Sequence, residues 1–371
     1  MSSLTTVFLA GDVMTGRGID QVLPHPSDPA LCESYVRDAR DYVELAERAN
    51  GRIESPVDSA YVWGVALAEL DAAAPDARII NLETSVTQSP DYWPSKGIHY
   101  RMHPRNIGCL TAARIDCCTL ANNHVLDFGY AGLAETLATL HEAHLRFAGA
   151  GANAQEAGAP ATIDLGQRGR VSVYACGAES SGIPEAWNAG AARAGINLLP
   201  DLSGNTARRL STTILESKRA HDVVVLSIHW GPNWGYEVER DGRAFAHALI
   251  DSGAVDIIHG HSSHHPKGIE LYRGRPILYG CGDFLNDYEG IGGHERYRGD
   301  LVAMYFVGMD VEGGGLASLR IVPLRIRRFS LARAVHADAE WLRRKIAQAS
   351  PGLEGGFELA ADNAITLRAI S

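Results

Sequence analysis

The sequence predicts an α/β protein built as a sandwich of two mixed sheets with outer helices, and three observations predict it. Short apolar runs rich in β-branched residues recur along the chain, several are separated by segments of helical periodicity, and most end at or next to a Gly, Asn or His. The runs are Thr5–Ala10, Ala77–Leu82, Ile115–Leu120, Val171–Cys176, His221–Trp230, Val255–Gly260, Arg275–Gly280 and Leu301–Val311. Apolar residues spaced three and four apart predict helices over Tyr61–Leu70 and Ala131–His144. From about Pro276 to Arg328 strands follow one another through turns such as Glu312–Gly315, so the sheet is expected to finish antiparallel. Pro184–Ser203 and Asp287–Tyr297 carry Gly, Asn and charge without periodicity and read as loops near a site. The expected organisation is one domain over residues 1–371, completed by strands and a helix from about 300 to 371.

Composition narrows the function. With 371 residues, 46% of them apolar, the chain can bury a large core. A net charge of -10 without a block of Lys and Arg argues against a nucleic-acid partner. The first apolar run is broken by Gly11 and Asp12, which reads as a strand rather than a signal peptide. No stretch approaches the roughly 18 apolar residues of a membrane span, so no membrane partner is expected and the cytoplasm is the expected location. The six cysteines lack metal or disulfide spacing and read as reduced, buried thiols.

The chemistry-bearing residues gather where strands end, the edge at which open α/β sheets hold their ligands. Asp12 follows the first run, Asn81 and Glu83 the second, and Asn122, Asn123 and His124 the third. His229 and Trp230 close the run through Ile228, and His259, His261, His264 and His265 follow Val255–Ile258. Polar groups at buried strand ends need partners, and ligation of a shared cation satisfies several at once.

Several stretches carry a family resemblance: Gly11–Met14, Asn81–Glu83, Lys96–Arg101, Ala121–His124 with Asp127 and Gly129, His229–Gly231, Gly260–His264 and Tyr279–Phe284. In this order they resemble the CapA-type branch of the calcineurin-like metallophosphoesterase superfamily, which is associated with poly-γ-glutamate capsule synthesis. The resemblance implies a calcineurin-like αββα sandwich. It also implies a divalent cation held by Asp12, Glu83, Asn123 and His229, with Ca, Mn, Mg and Zn not distinguished. Met14 stands where the superfamily's Asp-x-His pattern has a histidine, and Glu83 stands for a bridging Asp. Both departures imply one ion rather than two.

In its soluble members the branch resembles enzymes that invert the C-terminal residue of lasso-peptide precursors. A metal-dependent peptide epimerase is therefore expected, with a ribosomal precursor peptide as substrate. It needs a base and an acid on opposite faces of a Cα. Asp12, His124 with Asp127, His261, His264 and His294 are the candidates for proton transfer. Lys96 and Arg101 are candidates to hold a carboxylate, and Trp230 and Trp234 to line the pocket. Two other readings are a metal-dependent phosphoester hydrolase and an accessory or binding protein of poly-γ-glutamate synthesis.

Overall fold

The strand Leu4–Val13 lies in the middle of the larger sheet, and its C-terminal end carries Asp12 into the candidate site. It pairs in parallel with Ala77–Leu82 on one side and antiparallel with Leu301–Asp310 on the other. The architecture is that of a computed structural model, which describes residues 4–368. From edge to edge the strands run Phe357–Leu359, Ile365–Leu367, Gly315–Arg327, Leu301–Asp310, Leu4–Val13, Ala77–Leu82, Cys117–Thr119 and Arg146–Ala148. A short strand, Asp283–Leu285, runs parallel beside the end of Leu4–Val13 and sets Asp283 opposite Asp12.

The second sheet has the order Ile269–Tyr272, Arg275–Leu278, Ile257–His261, Val223–His229, Arg170–Gly177 and Ala161–Asp164. Its inner four strands are parallel and its two edges antiparallel. The strands read as nearly unbroken apolar runs because both faces are covered. Alternation then sorts the residues. Val171, Val173, Val223, Val225 and Ile257 join Val7, Leu9, Ile79 and Cys117 in the core between the sheets. Tyr174, Cys176, Val224, Leu226, Ile228 and Ile258 face outward onto Phe245 and Leu249 of the helix Arg240–Asp251 and Ile214 of the helix Gly204–Ser217. Each such buried side chain contributes about 1.5–3 kcal/mol of transfer free energy.

That two-residue period decides where the histidines go. Val223 and Val225 face inward, so Ser227 and His229 do too; Ile257 faces inward, so His259 and His261 do too. Two neighbouring runs of Val and Ile thus aim three imidazoles, His229, His259 and His261, into the space between the sheets.

The expected two-sheet sandwich with outer helices is what the chain forms. The antiparallel finish holds for Leu301–Asp310 and Gly315–Arg327. Arg275–Leu278 instead belongs to the second sheet, parallel to Ile257–His261. The helix expected over Tyr61–Leu70 is divided into a 3-10 turn, Tyr61–Trp63, and a helix, Ala66–Ala73. Gly64 between them has φ +45°, and a Cβ there would lie 2.1 Å from the Leu331 carbonyl oxygen, so the chain turns where the strand Ser330–Arg333 crosses it. No helix among the described residues is long and apolar enough to cross a membrane.

Candidate functional site

A close backbone contact fixes the centre of the site. A Cβ at Gly11 would lie 1.8 Å from the Gly282 carbonyl oxygen, and the register of Leu4–Val13 against Ala77–Leu82 shifts between Ala10 and Asp12. Glycine allows that approach, and the shift turns the next side chain, Asp12, into the space between the sheets. Asp12 is fully buried. Its Oδ1 accepts from Asn81 Nδ2 at 2.7 Å and its Oδ2 from the Ser262 amide at 3.2 Å. Ser262 takes φ +97°, a costly backbone for a serine, and that conformation is what delivers its N–H to Asp12. Asn81 Nδ2 also reaches Glu83 Oε2 at 3.3 Å, tying the two acids together.

Two groups of donor atoms share Asp12. In one, Asp12, His229 and His261 bring their ligand atoms within 4.8 Å of one another; in the other, Asp12, His264 and Asp283 do the same. His229 Nδ1 and His261 Nδ1 are 2.7 Å apart, and His229 Nε2 lies 3.1 Å from Asn123 Oδ1. Burial holds His229 and His261 well below the ordinary imidazole value, so both are neutral donors. Burial and then the neighbouring Asp283 push Asp12 up to about 7, and burial with Asp12 raises Glu83 well above its usual range. Carboxylates sequestered together in this way favour either protonation or a cation among them. The mixed oxygen and nitrogen donors fit a divalent ion.

Beside these groups stand two imidazole–carboxylate pairs. His124 Nδ1 is 2.6 Å from Asp127 Oδ2, and its Nε2 is 3.7 Å from Glu83 Oε1. His264 Nδ1 is 2.8 Å from Asp283 Oδ1, while its Nε2 meets Asn233 at 3.0 Å. Burial lowers His124 to about 4 despite Asp127. For His264 burial acts in the same sense, but Asp283 outweighs it and the net shift is upward.

Residues 6–288 match the family described as bacterial capsule synthesis protein PGA_cap. The chain belongs to this family. The matched span of this PGA_cap protein holds every site group described above, from Asp12 to Asp283. A probable polyglutamine synthesis accessory protein of Mycobacterium tuberculosis is 50% identical over 348 residues, covering 94% of this chain and 91% of its own. The capsule biosynthesis protein CapA of Bacillus anthracis is 25% identical over 331 residues, covering 88% of this chain and 68% of its own. A solved structure of a Mycoplasma pneumoniae phosphatase covers 89% of this chain and 97% of its own at 14% identity and a TM-score of 0.48, too loose a likeness to argue from. The CapA-type resemblance read from the sequence is thereby established.

Among the residues expected at the site, this PGA_cap protein brings Asp12, Glu83, Asn123, His124, Asp127, His229, His261 and His264 together. Their parts differ from expectation in places. Among the described residues His261 has no carboxylate partner closer than Asp12 at 3.9 Å, and it stands with the donor atoms rather than in an imidazole–carboxylate pair. Lys96 is present, but its ammonium is 2.6 Å from Asp127 Oδ1 and 2.9 Å from His124 Nδ1, so it braces that pair and is not free for a substrate carboxylate. Trp234 packs beside His264, with ring centroids 5.2 Å apart.

Three expectations fail. Trp230 follows His229 by one residue and therefore points to the helix side, where its Nε1 donates to the Tyr279 carbonyl. Arg101 donates to the carbonyls of Ser89 and Asp28 and lies over Phe128, which holds it away from Asp12. His294 is exposed and stacks on Trp234 at 3.9 Å, outside the buried cluster.

Sequence reasoning missed two supports. Asp283 was visible inside Tyr279–Phe284, yet only the short parallel strand shows that it faces Asp12. The other support is Arg17, a buried guanidinium bound to both Asp287 oxygens, Glu33 and Tyr42. It lies over the rings of Tyr42 at 4.0 Å and Tyr100 at 4.5 Å. Tyr100 packs edge-on to His124, Tyr288 edge-on to His264, and their hydroxyls meet at 2.6 Å. Arg17 thereby backs the wall behind both imidazoles, and no local motif marks it.

Proposed function

We propose that the chain is a cation-dependent acid–base enzyme acting on a peptide-like chain, and that the reaction is inversion at a Cα. The observation that carries this reading is the placement of His124–Asp127 beside Glu83 and His264–Asp283 beside Asp12, two proton-transfer pairs bordering one acidic cluster. Each carboxylate fixes its imidazole through Nδ1; the Nε2 of His124 is left 3.7 Å from Glu83, while that of His264 meets Asn233, a contact that must yield for this pair to pass a proton to or from a carbon. Asp12, Glu83, Asp283, His229 and His261, with Asn123 Oδ1, are the groups that would hold the ion. When bound, a divalent ion would supply positive charge against the negative charge that develops on a carbonyl oxygen. Burial of the cluster excludes water and strengthens these interactions.

The relatives' names support one substrate class over another. A relative named as a polyglutamine synthesis accessory protein, together with the poly-γ-glutamate association that the CapA-type resemblance implies, supports a glutamine or glutamate chain, in an accessory role to its assembly, ahead of a lasso-type precursor peptide. The test is incubation of the metal-loaded protein in D₂O with oligo-γ-glutamate, oligo-α-glutamate and a ribosomal precursor peptide. Gain of one deuterium at a single Cα is expected; absence of exchange in every arm, with Ca²⁺, Mn²⁺, Mg²⁺ and Zn²⁺ each supplied, would sink the epimerase reading.

One observation favours a second reading. Two donor groups sharing Asp12 suit a paired-ion clamp for phosphoester hydrolysis, even with Met14 in place of a histidine. Turnover of simple aryl phosphates by the metal-loaded protein would place this reading first.

A further inference from the structure

The helix-covered side of the second sheet holds a cavity of about 30 Å³ that takes no part in the Asp12 cluster; it is bordered by Leu202, Trp230, Val238, Gly242, Lys267 and Tyr279, and also by the exposed Glu239, whose carboxylate an incoming anion would have to displace toward solvent. Three features of this cavity point to one kind of ligand.

The first is Lys267, which is only 6% exposed. Among the described residues its ammonium makes one hydrogen bond, a long one of 3.4 Å to the Glu237 carbonyl, and no carboxylate lies within ion-pair distance of it. The described lysines elsewhere differ: Lys96 and Lys218 are paired with Asp127 and Asp256, and Lys345 lies over Tyr236 and Trp341. A buried ammonium with two donors unused is costly unless something anionic completes it. Burial lowers its pKa from the usual lysine value, and Glu239 opposes that shift.

The second feature is the start of the helix Arg240–Asp251. Gly242 in its first turn borders the cavity, and the N-cap residue, Glu239, makes no side-chain capping bond. The first-turn amides of a helix lack intrahelical acceptors and carry the positive end of its dipole.

The third is size and polarity. About 30 Å³ admits roughly two water-sized groups, enough for the head of a carboxylate. The stacked rings of Trp230 and Tyr279, with Leu202 and Val238, give an apolar wall for the carbon behind such a head.

We propose that this cavity is a carboxylate-binding subsite, with Lys267 and the start of the helix Arg240–Asp251 gripping one carboxylate. The assignment is independent of the reaction at the Asp12 cluster. The carboxylate belongs either to a free small acid or to a residue of a peptide chain, and the chemistry of capture is the same.

The chain has four lysines, so their ε-carbon NMR signals are few, and Lys267→Arg identifies the one from Lys267. Sodium acetate, sodium chloride and sodium phosphate at matched ionic strength, and tri-γ-glutamate, are titrated into the full-length protein. The expected result is a saturable shift confined to the Lys267 signal with acetate and absent with chloride. Tighter binding of tri-γ-glutamate than acetate assigns the site to a peptide, and equal or weaker binding assigns it to a small acid. In Lys267→Met, acetate protection against thermal unfolding should need at least about tenfold more acetate. If that variant does not fold, the titration of the unaltered protein decides. No Lys267-specific response, an equal response to chloride, or tighter binding of phosphate than acetate would overturn the proposal.

Discussion

His264 and Asp283 are joined at 2.8 Å, and Asp283 in turn sits opposite Asp12 on the neighbouring parallel strand. The pair therefore belongs both to the proton-transfer geometry and to one of the two donor groups, whereas Asp12 belongs to both groups. Removing either acid should have different consequences. Asp12→Asn is expected to abolish retention of divalent metal after dialysis, and Asp283→Asn to lose only the portion held on the His264 side. Elemental analysis of the two variants beside the unaltered protein measures this; equal metal content in all three would remove the cation from the site.

Gly11→Ala tests the contact that aims Asp12. The added methyl would meet backbone rather than a movable side chain, at Gly282. Destabilisation of at least about 3 kcal/mol is expected, at the upper end of the usual cost of overpacking. Thermal or urea unfolding reads it, and a change under about 0.5 kcal/mol, the scale of a neutral surface substitution, would show that the strand can slide.

Asp222 gives a pH-dependent prediction away from the site. Burial opposes its ionisation, but the Arg170 guanidinium, at 3.1 and 2.5 Å, and the Arg219 amide outweigh it, and its pKa is lowered in the fold. Such a group stabilises the fold above its unfolded pKa and ceases to do so as pH falls through the depressed folded value. Asp222→Asn should therefore cost about 1–3 kcal/mol at neutral pH. The difference in melting temperature from the unaltered protein should shrink once the pH drops below about 4, the ordinary aspartate value. A gap that stays constant across that range would contradict the linkage.

Thiol labelling offers a direct check on the core. Cys32 is exposed, while Cys109, Cys117, Cys118, Cys176 and Cys281 are buried. Burial pushes the Cys109 thiol up to about 12 and raises the other four as well. Iodoacetamide at neutral pH should modify Cys32 alone in the native protein and all six after denaturation, as read by peptide mass mapping.

Much of the site was legible because strand ends are legible: an apolar run of period two, closed by Asp, Asn or His, states both where the chain stops being buried and which group it presents. Asp12, Glu83, Asn123, His124 and His229 were found in this way. Trp230 was misplaced although the same alternation, carried one residue past His229, sends it to the helices. Arg101, on the two-residue strand Arg101–Met102, and His294, in a loop, are placed by distant contacts, Arg101 by the carbonyls of Ser89 and Asp28 and His294 by Trp234. The division of Tyr61–Leu70 at Gly64 was hidden for a similar reason, since the obstructing carbonyl belongs to Leu331. Arg17 shows the limit most plainly: nothing near it in sequence reveals that Asp287 will meet it.

The join between Asp12 and the Ser262 amide spans 250 residues, and that between Arg17 and Asp287 spans 270. During synthesis at about 5–20 residues per second, Asp12 emerges roughly ten to fifty seconds before the chain that completes its surroundings. Its strand must wait with a buried-type acid exposed, and the nascent chain meanwhile offers an ion only scattered single ligands. Choice of any ion that the cluster takes up would consequently fall to the finished pocket rather than to the order in which its ligands are translated.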